Sequence, residues 1–410
     1  MITKIEQVIE EYQKVFYLED TSVIPLICAV TIQSAMDGDP IWIWLVGGSS
    51  SGKTEIINAV TGVKNVRQIS TLTENTFLSG FRKKDGEETS LLRQIGPTGV
   101  IVMKDFTSIL SMNSEKQQAV MGQLREVFDG FITKATGTGK TLSWKGKINL
   151  IAGVTEAIHA DGEKFNKMGT RNLFYTFPEQ NRKKTTRRAM QNAGQIKFLR
   201  ANIQDIFTEY IHYMISNFDK KVITLPEDVL QDIEDLTDFV AICTTGVVRN
   251  YRGEMELMLS ANMPMRHASQ AIGLGTTFMK MNDGVLPKWG KDLIYKTALD
   301  SIPKQRRMCL TVLAQYQEQT TTEIAMKLGY ETDLVGKWLA DLNALKVCER
   351  RKGTDNGKNR WSMKEEYRKI VQRYDGIKPR NDVSTDSGVS DEESEKEEEK
   401  LQAQELFDNM

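Results

Sequence analysis

Paired cysteines are missing from this chain. Cys28, Cys243, Cys309 and Cys348 are scattered, with no CxxC pair, which argues against a disulfide framework or a zinc site and suits a reducing cytoplasm. Histidine is as scarce: His159, His212 and His267 stand alone and suggest no metal. No run approaches the roughly 20 apolar residues of a membrane-spanning helix. The start, MITKIEQVIEEYQ, reads as an acidic amphipathic helix, not a secretory signal. What is present is 40 % hydrophobic and 27 % charged, a soluble globular composition, in 410 residues that allow two or three domains plus tails.

Charge is unevenly placed. From Asn381 to Met410, eleven acidic residues face two basic ones, a local charge of −9; with the whole chain at −1, residues 1–380 carry +8. Such a body can bind a polyanion. The tail DVSTDSGVSDEESEKEEEK has no apolar period and is expected to be disordered. It serves either as a solubilising end or, through its closing LFDNM, as a dock for a basic partner or a competitor of nucleic acid for the body.

Residues 1–40 read as two helices that end at the turn DGDP. IWIWLV is a buried strand, followed by a glycine-rich loop and the helical run TEIINAVTG. Strand-like VRQIS, GVIVMKD and KINLIAGVT alternate with helical stretches such as SEKQQAVMGQLREVFDG. This alternation predicts a parallel α/β sheet. Five segments follow: 1–40, an N-terminal helical segment; 41–187, the sheet core; 188–302, a helical region; 303–374, a separate unit; and 375–410, the acidic tail.

Gly47, Gly48, Ser49, Ser50, Ser51, Gly52, Lys53 and Thr54 match GxxxxGK[ST] in full, between a predicted strand and a predicted helix. Backbone N–H groups of such a loop turn inward around phosphates. Lys53 can reach the terminal phosphates of ATP and the Thr54 hydroxyl can hold Mg²⁺. The metal also needs a carboxylate at a neighbouring strand end, and Asp105 after GVIVMK supplies it. The next residue is often a glutamate that polarises water; here it is Phe106, so the base is another residue, Glu126 or Glu74, or hydrolysis is slow. A second GKT, at Gly139 to Thr141, is no P-loop, because position 134 holds lysine instead of glycine. It sits between FITKAT and TLSWKG, a β-hairpin with a glycine-rich tip crowded by Lys134, Lys140, Lys145 and Lys147.

The order of P-loop, strand ending in Asp105, basic hairpin, strand ending in Thr155, then GTRNLFYTFP resembles the AAA+ superfamily of ring-forming ATPases. The hairpin just ahead of the sensor strand is similar to the clade of minichromosome-maintenance-like and viral replicative helicases. The resemblance covers roughly residues 20–290. It implies that residues 188–302 form a helical lid, that Lys140 grips DNA, that Thr155 senses the terminal phosphate, and that Arg171 is an arginine finger acting on a neighbouring subunit of a ring, a hexamer in this reading. NMPMRHASQA resembles the lid segment whose arginine leans on the nucleotide, suggesting Arg266, with Arg249 an equal candidate for a structural ion pair. The stripe Phe207, Tyr210 and Tyr213 reads as core.

Residues 303–374 hold three helical runs and then two strand-like ones, the pattern of a winged helix-turn-helix. Lys337, Arg350, Arg351, Lys352, Lys358 and Arg360 could contact phosphates. Winged helices also serve as protein-binding modules. The expected function is an ATP-dependent, ring-forming DNA motor, a replicative helicase or helicase loader of a phage or mobile element. The alternatives are a slowly hydrolysing DNA-binding switch and a remodeller of protein complexes.

Overall fold

The structure, a computed structural model, describes residues 2–49, 51–73, 75–79, 90–135, 141–160, 171–217, 223–352 and 359–374. Ser50, Glu74, Lys140, Lys358 and the acidic tail lie outside the described residues.

Strand β1, Trp42–Val46, is buried along its whole length. It pairs in parallel with β6, Lys147–Val154, on one side and with β7, Leu173–Thr176, on the other. Strands β2, Val66–Ile69, and β3, Thr98–Met103, complete a five-stranded parallel sheet in the order β2-β3-β6-β1-β7. Alternation along the strands separates two cores, as the two-residue side-chain period requires. Ile43 and Leu45 join Val100, Val102 and Ile151 on one face. Trp42, Trp44 and Val46 join Ile101, Met103 and Leu150 on the other.

The first face is covered by helices α1, Ile5–Val15, α2, Val23–Gln33, and α3, Lys53–Ala59, with further helices against them. The opposite face takes α4, Leu91–Ile95, α5, Thr107–Leu110, and α6, Ser114–Phe128. In α6 the buried residues Val120, Met121, Leu124, Val127 and Phe128 recur at helical spacing. Asn113 caps its start by accepting the Lys116 N–H at 3.0 Å. Strands β4, Phe131–Ala135, and β5, Thr141–Lys145, pair antiparallel, with Ile132 opposite Trp144, both buried. Gly146 follows because the chain runs hard against Pro97: a Cβ there would meet the Pro97 carbonyl oxygen at 2.1 Å.

After β7 come α7, Arg182–Asn192, α8, Ile196–Ser216, α9, Glu227–Cys243, α10, Met265–Met281, and α11, Lys288–Asp300. Helix α8 packs on α1, α2 and α3, burying Phe207 and Tyr210 as core residues. The sequence reading of this region as helical missed a hairpin of β8, Val247–Arg249, and β9, Met255–Met258. Its strands are short and β9 is wholly exposed, so no buried alternation marks it in the sequence. Helix α11 closes the β7 edge of the sheet with side chains. Asp300 accepts the Thr176 N–H at 2.6 Å, Ser301 Oγ accepts the Phe174 N–H at 3.2 Å, and the Lys296 ammonium donates to the Thr176 carbonyl at 3.0 Å.

The remaining described residues form α12, Lys304–Gln315, β10, Gln319–Thr320, α13, Thr321–Leu328, α14, Thr332–Ala344, β11, Cys348–Lys352, β12, Asn359–Met363, and α15, Glu365–Gln372. The three strands make an antiparallel sheet in the order β10-β12-β11. Thr320 and Glu323 form a reciprocal capping box at the start of α13. All four cysteines are buried and free. Among the described residues no helix is long and apolar enough to cross a membrane.

One buried polar residue ties the layers together. Asn149, fully buried in β6, donates to the Val30 carbonyl at 2.7 Å and to Gln33 Oε1 at 2.8 Å, and accepts the Ile41 N–H at 2.9 Å. It thereby joins α2 to the sheet and fixes the entry into β1. Lys147, expected among the hairpin lysines, is diverted to the same junction: its ammonium donates to the Gln33 carbonyl at 2.8 Å and to that of Met36, and burial lowers its pKa to about 8. Asn149→Ala leaves three buried partners unsatisfied and should cost about 3 kcal/mol. The check is the guanidinium midpoint of the variant against wild type, and an unchanged midpoint would refute this account.

Candidate functional site

The loop from Gly47 to Thr54 leaves the buried strand β1 and enters α3 within eight residues. Both ends are anchored: the Gly47 N–H donates to the Val154 carbonyl at 3.3 Å, and the Gly52 carbonyl accepts the Glu55 and Ile56 N–H groups at 3.1 Å. Gly52 has φ 92°, the left-handed region that favours glycine, and a Cβ there would lie 3.1 Å from Leu18 Cδ2. Lys53, at 9 % exposure, turns its ammonium back into the loop. It donates to the carbonyls of Gly47 and Gly48, each at 2.6 Å, and to Ser51 Oγ at 3.1 Å. These acceptors are neutral. Loss of water lowers the Lys53 pKa, while the charges of Asp105 and Glu156 oppose that shift. A desolvated ammonium at a helix start, inside a ring of loop groups, is chemically fitted to a terminal phosphate.

Asp105 and Thr155 reach the same place by sheet geometry. β3 and β6 run parallel with Met103 opposite Ala152, so the residues that follow them leave the sheet together. The Phe106 N–H donates to the Gly153 carbonyl at 2.8 Å, and Thr107 Oγ1 lies 3.5 Å from Thr155 Oγ1. Asp105 accepts the Thr107 N–H at 2.8 Å through one carboxylate oxygen. Phe106 itself is fully buried, its ring 4.8 Å from that of Trp44.

Lys53, Thr54, Asp105 and Thr155 line one wall of a cavity of about 770 Å³. That volume lies within the usual range of small-molecule sites. The other wall comes from α1, α7 and α8 and combines apolar Phe16, Leu18 and Ile196 with Arg188 and Arg200. Arg188 donates to the Gln13 carbonyl, and Arg200 Nε donates to Glu55 at 2.9 Å. The cavity thus offers an anion cradle at one end and an apolar, cation-edged wall at the other. Sequence reasoning missed both arginines. The basic run RKKTTRR, Arg182 to Arg188, was the available signal for Arg188; α7 has no buried residue.

The structure brings together Gly47, Gly48, Ser49, Ser51, Gly52, Lys53, Thr54, Asp105 and Thr155. It places Arg171 and Arg266 elsewhere: neither lines this cavity. Arg171 pairs with Asp129 at 2.8 Å and lies over the Phe128 ring at 5.7 Å. Arg266 comes within 3.7 Å of the same Asp129. Two arginines thus converge on one carboxylate at the end of α6, beside the base of the β4–β5 hairpin. Arg266, suggested by the resemblance as the arginine that leans on the nucleotide, stands at this carboxylate and not on the cavity wall. Arg249, the other candidate, forms a structural ion pair with Asp341 of α14.

Of the basic residues read as nucleic-acid contacts, Lys134, next to last in β4, donates to Asn75 Oδ1 at 2.6 Å. Arg351 and Arg360 face each other across β11 and β12, with Lys352 next in register. Like charges directly opposite on a sheet are unfavourable unless an anion or a counter-charge offsets them; Glu349, 2.8 Å from Arg351, supplies part of that. Lys337 lies apart on α14, beside the turn of the β8–β9 hairpin: its carbonyl accepts from Arg249 at 3.1 Å.

For a metal, the residues present fit a divalent cation carried by phosphates. Thr54 offers a hydroxyl and Asp105 a carboxylate on one wall, the hard oxygen donors that Mg²⁺ prefers. Among the described residues no three His, Cys, Asp or Glu side chains gather around a metal position.

No protein-family model matches this chain, and no curated protein matches it. Among solved structures it is similar to a "putative ATPase" from Cytophaga hutchinsonii ATCC 33406, with 14 % identity and a TM-score of 0.45, over 73 % of this chain and 86 % of that one. The five-stranded parallel sheet is flanked by helices and carries the glycine-rich loop after β1.

Gly52→Ala tests the cradle. A Cβ in the left-handed region costs roughly 1–2 kcal/mol, and the contact with Leu18 adds to it. Affinity for a fluorescent nucleoside triphosphate should fall on the order of 10-fold, measured by titration. Unchanged affinity would mean that the loop does not hold the phosphates.

Proposed function

We propose that this chain is an ATP-dependent, ring-forming DNA motor of the AAA+ kind, a replicative helicase or helicase loader of a phage or mobile element acting in the cytoplasm. The observation that carries the nucleotide part is the Lys53 ammonium, desolvated within its loop and level with Thr54 and Asp105 at one end of the cavity. The triphosphate of ATP lies along the loop that runs from Gly47 to Gly52, with Lys53 on the terminal phosphates and Thr155 near the departing one. Thr54 and Asp105 hold Mg²⁺, which when bound neutralises charge that develops on the β- and γ-phosphates. Arg188 and Arg200 edge the opposite wall.

Arg171, remote from its own cavity and held by Asp129, is offered to a neighbouring subunit, with Arg266 beside it. A cation supplied in trans stabilises the transferred phosphoryl group, so hydrolysis requires assembly, as a hexamer in this reading. Lys134 and Lys140 of the β4–β5 hairpin then face DNA, which the moving tips carry along. Helices α12, α13 and α14 with the β11–β12 wing make a winged helix, whose Arg351, Lys352 and Arg360 contact phosphates and whose Lys337 stands on the third helix. The acidic tail is left for a protein partner.

One observation favours a second reading. Phe106 is buried where a water-polarising glutamate is often found, which suits a switch that hydrolyses slowly and resets its hold on DNA. Steady-state ATP hydrolysis with and without single-stranded DNA separates the two: the motor is stimulated several-fold and the switch is indifferent. Complementation tests the assembly. Lys53→Ala and Arg171→Ala should each hydrolyse less than about 1 % of the wild-type rate, and an equimolar mixture should recover a measurable fraction, because some interfaces then pair an intact loop with an intact finger. A mixture as inactive as its components would count against a finger acting in trans.

A further inference from the structure

Hydrolysis of a phosphoanhydride requires a group that orients the attacking water and takes its proton. Position 106 cannot serve. The Phe106 side chain points into the core against Trp44 while its N–H is tied to the Gly153 carbonyl at 2.8 Å, so a carboxylate placed there would be buried away from the cavity. Glu126 stands on the exposed face of α6 and is not among the charges that act on Lys53.

Glu74 lies outside the described residues, and among those described two other carboxylates lie close to the glycine-rich loop. Glu55 borders the cavity, but on the side of the N-terminal helix: Arg200 holds it at 2.9 Å, and its charge acts on Tyr12 of α1. Glu156 stands just beyond the cavity's rim, not among its lining residues, and its charge acts on Lys53. It directly follows the cavity-lining Thr155 and opens a 3-10 turn, Glu156–Ala160, that leaves β6 level with Asp105. The contact between Thr107 and Thr155 holds the two strand exits together. Glu156 and Lys53 act electrostatically on each other. Its own carboxylate is half-exposed and held from outside the sheet: the ammonium of Lys304, the first residue of α12, lies 2.6 Å away.

We propose that Glu156 is the catalytic carboxylate of this site and that Lys304 is its positioning residue. The inference rests on the ATP-hydrolysing reading above. A lone pair of the water oxygen forms a bond to the γ-phosphorus while the bond from that phosphorus to the β–γ bridging oxygen breaks, its electron pair leaving with ADP. One proton of the water passes to Glu156 and then to solvent. Three groups face this carboxyl: Lys304 from α12, His159 from its own turn and Lys53 from α3. The Lys304 hydrogen bond is the chief cause that holds it below its ordinary range, so it is ionised at neutral pH. Burial first, then the cations Arg307 and Lys304, pushes His159 down to about 4, which leaves it neutral there.

The test uses the full chain, with a fluorescent ATP analogue for affinity and steady-state hydrolysis from about pH 5 to pH 9 for turnover. Glu156→Gln should bind the analogue within about 3-fold of wild type and lose roughly 100-fold or more in kcat, the usual weight of a general base. Lys304→Met should keep its affinity and shift the acid limb of the kcat profile to higher pH. The sign follows because removing the cation raises the carboxyl pKa, and the base is lost as pH falls through it. Lys53-dependent hydrolysis that persists in Glu156→Gln within about 3-fold of wild type overturns this inference alone. An unmoved acid limb in Lys304→Met overturns the positioning role. Wild-type protein that binds no nucleotide in a Lys53-dependent way overturns the functional reading and this inference with it.

Discussion

Strand β1 cannot see water on either face, and the rest of the molecule is arranged around that constraint. A buried strand must pair its whole backbone, so β6 and β7 are held in fixed register on its two sides. The same ladder continues past the strand: Val46 accepts the Phe177 N–H at 2.8 Å, and Gly47 donates to Val154. The phosphate loop therefore begins from a fully determined point, and its conformation is a continuation of sheet pairing. Asn149 extends this constraint to α2, and Trp42 ties its ring nitrogen to the Ile148 carbonyl at 2.8 Å.

The electrostatics of the site follow from where the strands end. Parallel strands deliver Lys53, Asp105 and Thr155 to one rim with Glu156 just beyond it, so a buried cation faces carboxylates that remain in contact with solvent. Lys53 is discouraged from carrying its charge by burial and encouraged by the two carboxylates, a balance that a bound polyphosphate would tip strongly toward the charged form. At the end of α6, Arg171 and Arg266 both approach the carboxylate of Asp129.

Much of the sheet and the loop was legible because both are local patterns. IWIWLV is an unbroken apolar run, and GGSSSGKT places its glycines, lysine and threonine within eight residues. The arginines on the cavity wall were not legible, since Arg188 and Arg200 reach it only through the way α7 and α8 cross α1. Lys147 reads in sequence as one more lysine of a basic hairpin. It instead starts β6 and is claimed by carbonyls of α2 more than a hundred residues away. The β8–β9 hairpin escaped for the opposite reason: with both faces largely exposed, it has no hydrophobic period to read. Glu156 was passed over because its neighbour on the adjacent strand is fixed by register, not by sequence distance.

The edge of the sheet at β7 deserves a different description from the one its hydrogen bonds suggest. Open edges invite a further strand from another chain, yet here Asp300, Ser301 and Lys296 occupy the positions that strand would fill. Copies of this protein therefore cannot join by extending the sheet on that side. Asp300 also pairs with Arg307 of α12, the helix that begins with Lys304. The residue that terminates the sheet is thus also a hinge pin for the C-terminal helices, so a displacement of α12 would be felt at the fifth strand and at Glu156 together.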